Sequence, residues 1–116
     1  MIQYGFNLIG EEMNKQNIIA ECKKVLKDHY GKRFYGLILY GSAARGDAEN
    51  TSDIDLLVIL SGAFDYFTEL RTIVDLLYPF QLESENLISA KPVSLEEFEA
   101  GSSQLYRNAK QEGVAA

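Results

Sequence analysis

The sequence predicts an α+β domain: a small mixed β-sheet flanked by helices. Two short apolar runs, Phe34–Tyr40 and Asp53–Leu60, follow one another closely and read as paired strands. Segments on either side of them repeat apolar residues at helical spacing. A third strand pattern and a capped helix complete the order helix, strand, strand, helix, strand, helix. With 116 residues, 47% of them hydrophobic, the chain has enough apolar material for one core. Residues 1–116 therefore read as a single domain, with residues 1–10 as an irregular N-terminal arm.

Each element has a local reason. Ile18, Cys22, Val25, Leu26 and His29 recur at helical intervals, so residues 11–30 predict an amphipathic helix closed by Gly31. Phe34–Tyr40 is a buried strand that stops at Gly41. The stretch Gly41-Ser42-Ala43-Ala44-Arg45-Gly46 is a turn able to open a short helix, and residues 47–52 form a polar loop. Asp53–Leu60 is the strongest strand, apolar except for two acids at its start. Phe64, Phe67, Leu70, Val74 and Leu77 predict a second helix that ends at Pro79. Leu87–Val93 predicts a third strand, at a sheet edge or ending at Pro92, because proline cannot donate to a ladder. Ser94 with Glu97 forms a capping box for a C-terminal helix, interrupted at Gly101-Ser102-Ser103 and resumed through Leu105, Tyr106 and Ala109 to Gly113.

Composition excludes several functions. A net charge of −6 argues against an extended basic surface for nucleic acid. A single cysteine, Cys22, rules out an intrachain disulfide and a four-cysteine zinc site, and reads as a small apolar residue on a helix. One histidine, His29, leaves no His-rich metal site. No stretch approaches the roughly 20 apolar residues of a membrane helix, and no secretory signal pattern opens the chain. The expectation is a cytoplasmic protein that does not associate with membranes. Seven tyrosines and six phenylalanines are compatible with a homodimer or a complex with another protein.

Asp53 and Asp55 carry the chemistry. Side chains on a strand alternate with period two, so both carboxylates leave the same face, with Cα atoms about 6.5 Å apart. Ile54 and Leu56 then point into the core. Two acids on one face repel and lose hydration unless a cation neutralises them, and hard oxygen ligands suit a magnesium ion that keeps positions for phosphate oxygens. Gly41-Ser42 supplies the other half: a strand ending in Gly-Ser leaves backbone N–H groups free and lets a phosphate approach. Arg45 offers a fixed cation on the following turn. Alone, each part has a plainer reading, as a solvated acid pair, a simple turn or a surface ion pair. Gly41-Ser42, ten residues, then Asp53-Ile54-Asp55, with one apolar strand before the first motif and another containing the second, is a specific pattern, and an antiparallel return would bring the turn beside the acids.

Tyr40-Gly41-Ser42-Ala43-Ala44-Arg45-Gly46 followed by Ser52-Asp53-Ile54-Asp55-Leu56-Leu57-Val58 resembles the signature of the DNA polymerase beta-like nucleotidyltransferases, and more narrowly the minimal nucleotidyltransferases that partner HEPN-domain toxins. The resemblance covers residues 13–113. It implies that Asp53 and Asp55 are metal-binding catalytic carboxylates, that Gly41, Ser42 and Arg45 hold the triphosphate, and that ATP with Mg2+ or Mn2+ supplies AMP. The implied acceptor is a hydroxyl of a HEPN-type toxin, which makes this chain the antitoxin. Active relatives also use a third carboxylate on a later strand; here Ser89 occupies the expected place, and Glu83 or Glu85 are the nearby substitutes. Two further readings follow from that gap and from the chain's size: a catalytically weak module that neutralises a toxin by binding, and a transferase acting on a small molecule such as an aminoglycoside.

Overall fold

Asn14 opens the first helix. Its side chain accepts from the Asn17 backbone N–H at 2.8 Å, which satisfies a donor that has no partner inside the helix. The structure, a computed structural model, describes residues 14–41 and 53–116. Helix α1 spans Lys15–Tyr30 and is closed by Gly31, so it begins later than residue 11, at the position the asparagine caps. A short 3-10 turn, Gly31–Arg33, leads into β1, Phe34–Tyr40. Strand β2 is Ile54–Leu60, with Asp53 just outside it.

Helix α2 runs Tyr66–Glu83, capped by Asp65, whose carboxylate accepts from Thr68 N–H at 2.9 Å. It therefore starts after Phe64 and does not stop at Pro79, which lies inside it. Proline costs one helical hydrogen bond there, but the turn beyond it is anchored from outside. The Gln81 amide donates to the Asn86 carbonyl at 2.9 Å and accepts from Ile88 N–H at 2.7 Å, which ties the helix end to the next strand. That strand, β3, is Ile88–Ser94. Helices α3, Leu95–Ala100, and α4, Gln104–Glu112, follow, separated by Gly101-Ser102-Ser103 as expected. A two-residue strand, β4 at Val114–Ala115, closes the chain and was not legible from periodicity.

The sheet order is β3-β2-β1-β4, with β1 antiparallel to β2 and to β4, and β2 parallel to β3. Strand β3 is at an edge, which accommodates Pro92 opposite Val58. Strand β2 is buried on both faces, so its run is apolar rather than alternating. Ile54, Leu56, Val58 and Leu60 pack with Leu37 against Ile18, Cys22, Leu26 and Tyr30 of α1 and Ile73 and Leu77 of α2. Leu57 and Ile59 pack on the opposite face with Val93 and Ala109, supported by Phe98 and Tyr106. Burial pushes the Cys22 thiol up to about 12, which keeps it an inert core group. No helix among the described residues is long and apolar enough to cross a membrane.

The turn from α4 into β4 depends on Gly113. A Cβ there would stand 2.4 Å from the Ala109 carbonyl oxygen and 2.6 Å from Ile38 Cγ2. Gly113→Ala is therefore expected to destabilise the fold by about 1–3 kcal/mol through overpacking, read as a lowered midpoint in thermal melting; an unchanged midpoint would show that β4 contributes nothing to the sheet.

Candidate active site

The antiparallel return of β1 along β2 sets Tyr40 opposite Asp55. Gly41 continues from Tyr40 with a φ of +80°, a conformation that other residues adopt only with strain. A Cβ on Gly41 would stand 2.8 Å from Asp55 Oδ2 and 3.7 Å from its Cγ. Glycine is thus required twice at this bend, once for the backbone angle and once for the carboxylate beside it.

Asp53 is exposed and Asp55 half-buried. Burial holds the Asp55 carboxyl above the usual carboxylate range, the Asp53 charge adds to this, and the Lys91 ammonium opposes it. The two acids therefore sense each other, as one strand face requires, while Ile54 and Leu56 are fully buried beneath them. The Tyr40 hydroxyl is also raised, first by burial and then by the Asp55 charge.

The donor set fits one hard divalent cation. A cation between Asp53 and Asp55 would relieve both influences that hold Asp55 up, desolvation and like charge. The fit ends there: among the described residues no group of three or more His, Cys, Asp or Glu side chains could hold a metal. Glu83 is exposed at the end of α2 and Glu85 exposed in the loop before β3, and neither completes a three-carboxylate cluster. The β3 residue in register with Asp55 is Ser89, as its place in the sequence suggested. Ser42 and Arg45 lie outside the described residues. Lys91 also falls on the face of Asp55 and Ser89, in register with Leu57, and its period-two spacing from Ser89 is the sequence signal that places it there.

A mixed sheet with two acids at the start of a central strand, beside a glycine bend, is an arrangement suited to nucleotidyl transfer. The comparisons with known proteins agree. A model of the nucleotidyltransferase domain family matches residues 19–115, and the chain belongs to that family, the polymerase beta-like nucleotidyltransferases in their minimal form. A Methanocaldococcus jannaschii protein named "Putative protein adenylyltransferase" is 40% identical over 83 residues, 68% of this chain and 83% of the relative. A second protein of that name and organism is 34% identical over 91 residues, covering 73% and 62%. Spectinomycin 9-adenylyltransferase of Staphylococcus aureus is 28% identical over 89 residues, and the chain spans only 33% of it. The crystal structure of "a putative nucleotidyltransferase" from Sulfolobus solfataricus shares the fold, with a TM-score of 0.50 at 18% identity over 92% of this chain and 89% of that one. The protein is a nucleotidyltransferase.

Gly41→Ala is expected to cost roughly 1–2 kcal/mol of stability from the backbone angle. By displacing the Asp55 carboxylate it should also weaken magnesium–nucleotide binding about tenfold or more. Calorimetric titration with a non-transferable ATP analogue reads the second effect, and wild-type affinity in the variant would remove Gly41 from the site. Asp55 makes a separate prediction. A raised native pKa means that its contribution to stability is present at low pH and lost as pH rises through the raised value. Asp55→Asn should therefore raise the melting temperature near neutral pH and give no gain near pH ~3. A loss of stability at neutral pH would contradict the account of burial and like charge.

Proposed function

We propose that this chain transfers AMP from ATP, with Mg2+ or Mn2+, to a hydroxyl of a partner protein, and that it acts as the antitoxin of a HEPN toxin. The observation that carries the reading is the approach of Gly41 to Asp55, which sets the bend assigned to the phosphates directly beside a carboxylate assigned to the metal. The names of the M. jannaschii relatives support adenylyl transfer to protein.

Asp53 and Asp55 would hold the divalent ion, which when bound supplies charge neutralisation for the triphosphate. Gly41 presents bare backbone at the bend beside Asp55, and Gly41, Ser42 and Arg45 are assigned to the phosphates. The acceptor oxygen bonds to the α-phosphorus, the bridging bond to the β-phosphate breaks, pyrophosphate leaves and the hydroxyl proton passes to solvent. Positioning and preorganised charge do most of the work in such transfers.

Two observations favour other readings. Ser89 opposite Asp55 favours a catalytically weak module that neutralises its partner by binding. The S. aureus relatives favour a small-molecule acceptor such as an aminoglycoside, although the chain matches only a third of those enzymes.

The test is intact-mass analysis of a HEPN partner incubated with the chain, ATP and magnesium. One adenylyl adduct is expected, abolished by Asp53→Asn and by Asp55→Asn, with nucleotide affinity reduced at least about tenfold and folding retained. A partner that binds tightly without an adduct would replace transfer by simple binding. An adduct on an aminoglycoside but not on protein would move the acceptor to the small molecule.

A further inference from the structure

Strand β3 presents an unusual pair beside the acids. Ser89 is in register with Asp55 and Lys91 with Leu57, so both residues fall on the face that carries the carboxylates. Neighbouring strands lie about 4.8 Å apart and residues two apart along a strand about 6.5 Å, which places the Lys91 Cα about 8 Å from that of Asp55. A four-carbon stem covers that distance. Lys91 is half-buried and makes no hydrogen bond or ion pair of its own with a described residue. Its charge nevertheless reaches Asp55, where it counters burial and Asp53. On that face the next β3 side chain is Val93, which belongs to the apolar cluster with Leu57, Ile59 and Ala109.

Among the described residues the Lys91 ammonium has no hydrogen-bond or ion-pair partner, and a phosphate oxygen reaching this side of Asp55 would supply one. A neutral hydroxyl at Ser89 offers a metal ion no charge, and a fixed ammonium beside it repels a second divalent ion while attracting phosphate. The β3 side of Asp55 is therefore built for an anion.

We propose that the site holds a single divalent ion, through Asp53 and Asp55, and that the Lys91 ammonium takes the place of a second ion by contacting the α-phosphate oxygens on the acceptor side. This rests on the two-carboxylate reading above and extends it to the cation count and to a substrate-contacting residue on β3. Lys91 acts by charge and contact alone; it transfers no proton and forms no covalent bond.

The experiment counts ions. The full chain is titrated with Mn2+ in the presence of α,β-methylene-ATP, and bound Mn2+ is read by electron paramagnetic resonance. One ion per chain is expected in the wild type. Lys91→Ala should keep that ion but bind the analogue at least tenfold more weakly, and Lys91→Arg should recover most of the loss. Lys91→Met, which keeps the apolar stem, should repeat the alanine result, and serves in its place if the alanine variant does not fold. Ser89→Asp combined with Lys91→Ala should acquire a second Mn2+. Two ions in the wild type, or unchanged analogue affinity in both Lys91→Ala and Lys91→Met, would overturn the proposal. Full Mn2+ binding by Asp53→Asn and Asp55→Asn would instead overturn the underlying two-carboxylate site, whatever Lys91 does.

Discussion

The site depends on one close approach, that of the Gly41 backbone to the Asp55 carboxylate. No side chain fits between them, so the bend and the acid share a boundary. The approach is set by strand register. Tyr40 faces Asp55 only while Leu37 faces Val58 and Leu39 faces Leu56. A slip of one residue would turn the apolar set of a strand onto the wrong face. The packing that fixes the sheet thus fixes the approach of Gly41 to Asp55 as well.

That register is strongly held because β2 is buried on both faces. Leu56, Leu57, Val58 and Leu60 are fully buried and Ile59 nearly so, and each such side chain contributes roughly 1.5–3 kcal/mol relative to exposure. Stability is concentrated in the middle and far end of one strand. Its first residues are thereby free to carry groups that destabilise, and a crowded pair of carboxylates is such a group. Separating the apolar centre from the polar end lets the domain accept a locally unfavourable site without losing its fold.

How far this was legible in sequence follows the same physics. The limits of β1 and nearly all of β2 were readable, because a short apolar run bounded by glycine and by acids has few other solutions. The end of α2 was not. Pro79 is a local stop signal, overridden by Gln81 bonding to the backbone at Asn86 and Ile88, which no window along the helix reveals. Strand β4 is too short to show a period and exists through its pairing with Ile38 and Leu39. At the site, the two acids and their shared face came from alternation alone. The place of Ser89 was also readable, whereas the status of Glu83 and Glu85 needed the fold, since nearness in sequence to a strand does not bring a carboxylate to its face.

Exposure changes steadily along β2, and that gradient suits the site to ionic work. Asp53 is exposed, Asp55 half-buried, and Leu57 two residues further is fully buried. Attraction between charges grows as the surroundings lose water, but so does the cost of keeping a carboxylate ionised. A pair buried as deeply as Leu57 would hold a proton rather than a metal. A pair fully in water would bind a divalent ion weakly and without orientation. Asp55, raised yet offset by a nearby ammonium, lies between these limits. Its position is a consequence of where the strand leaves the core, so the same apolar run that builds the sheet also sets how strongly its first carboxylates can hold a cation.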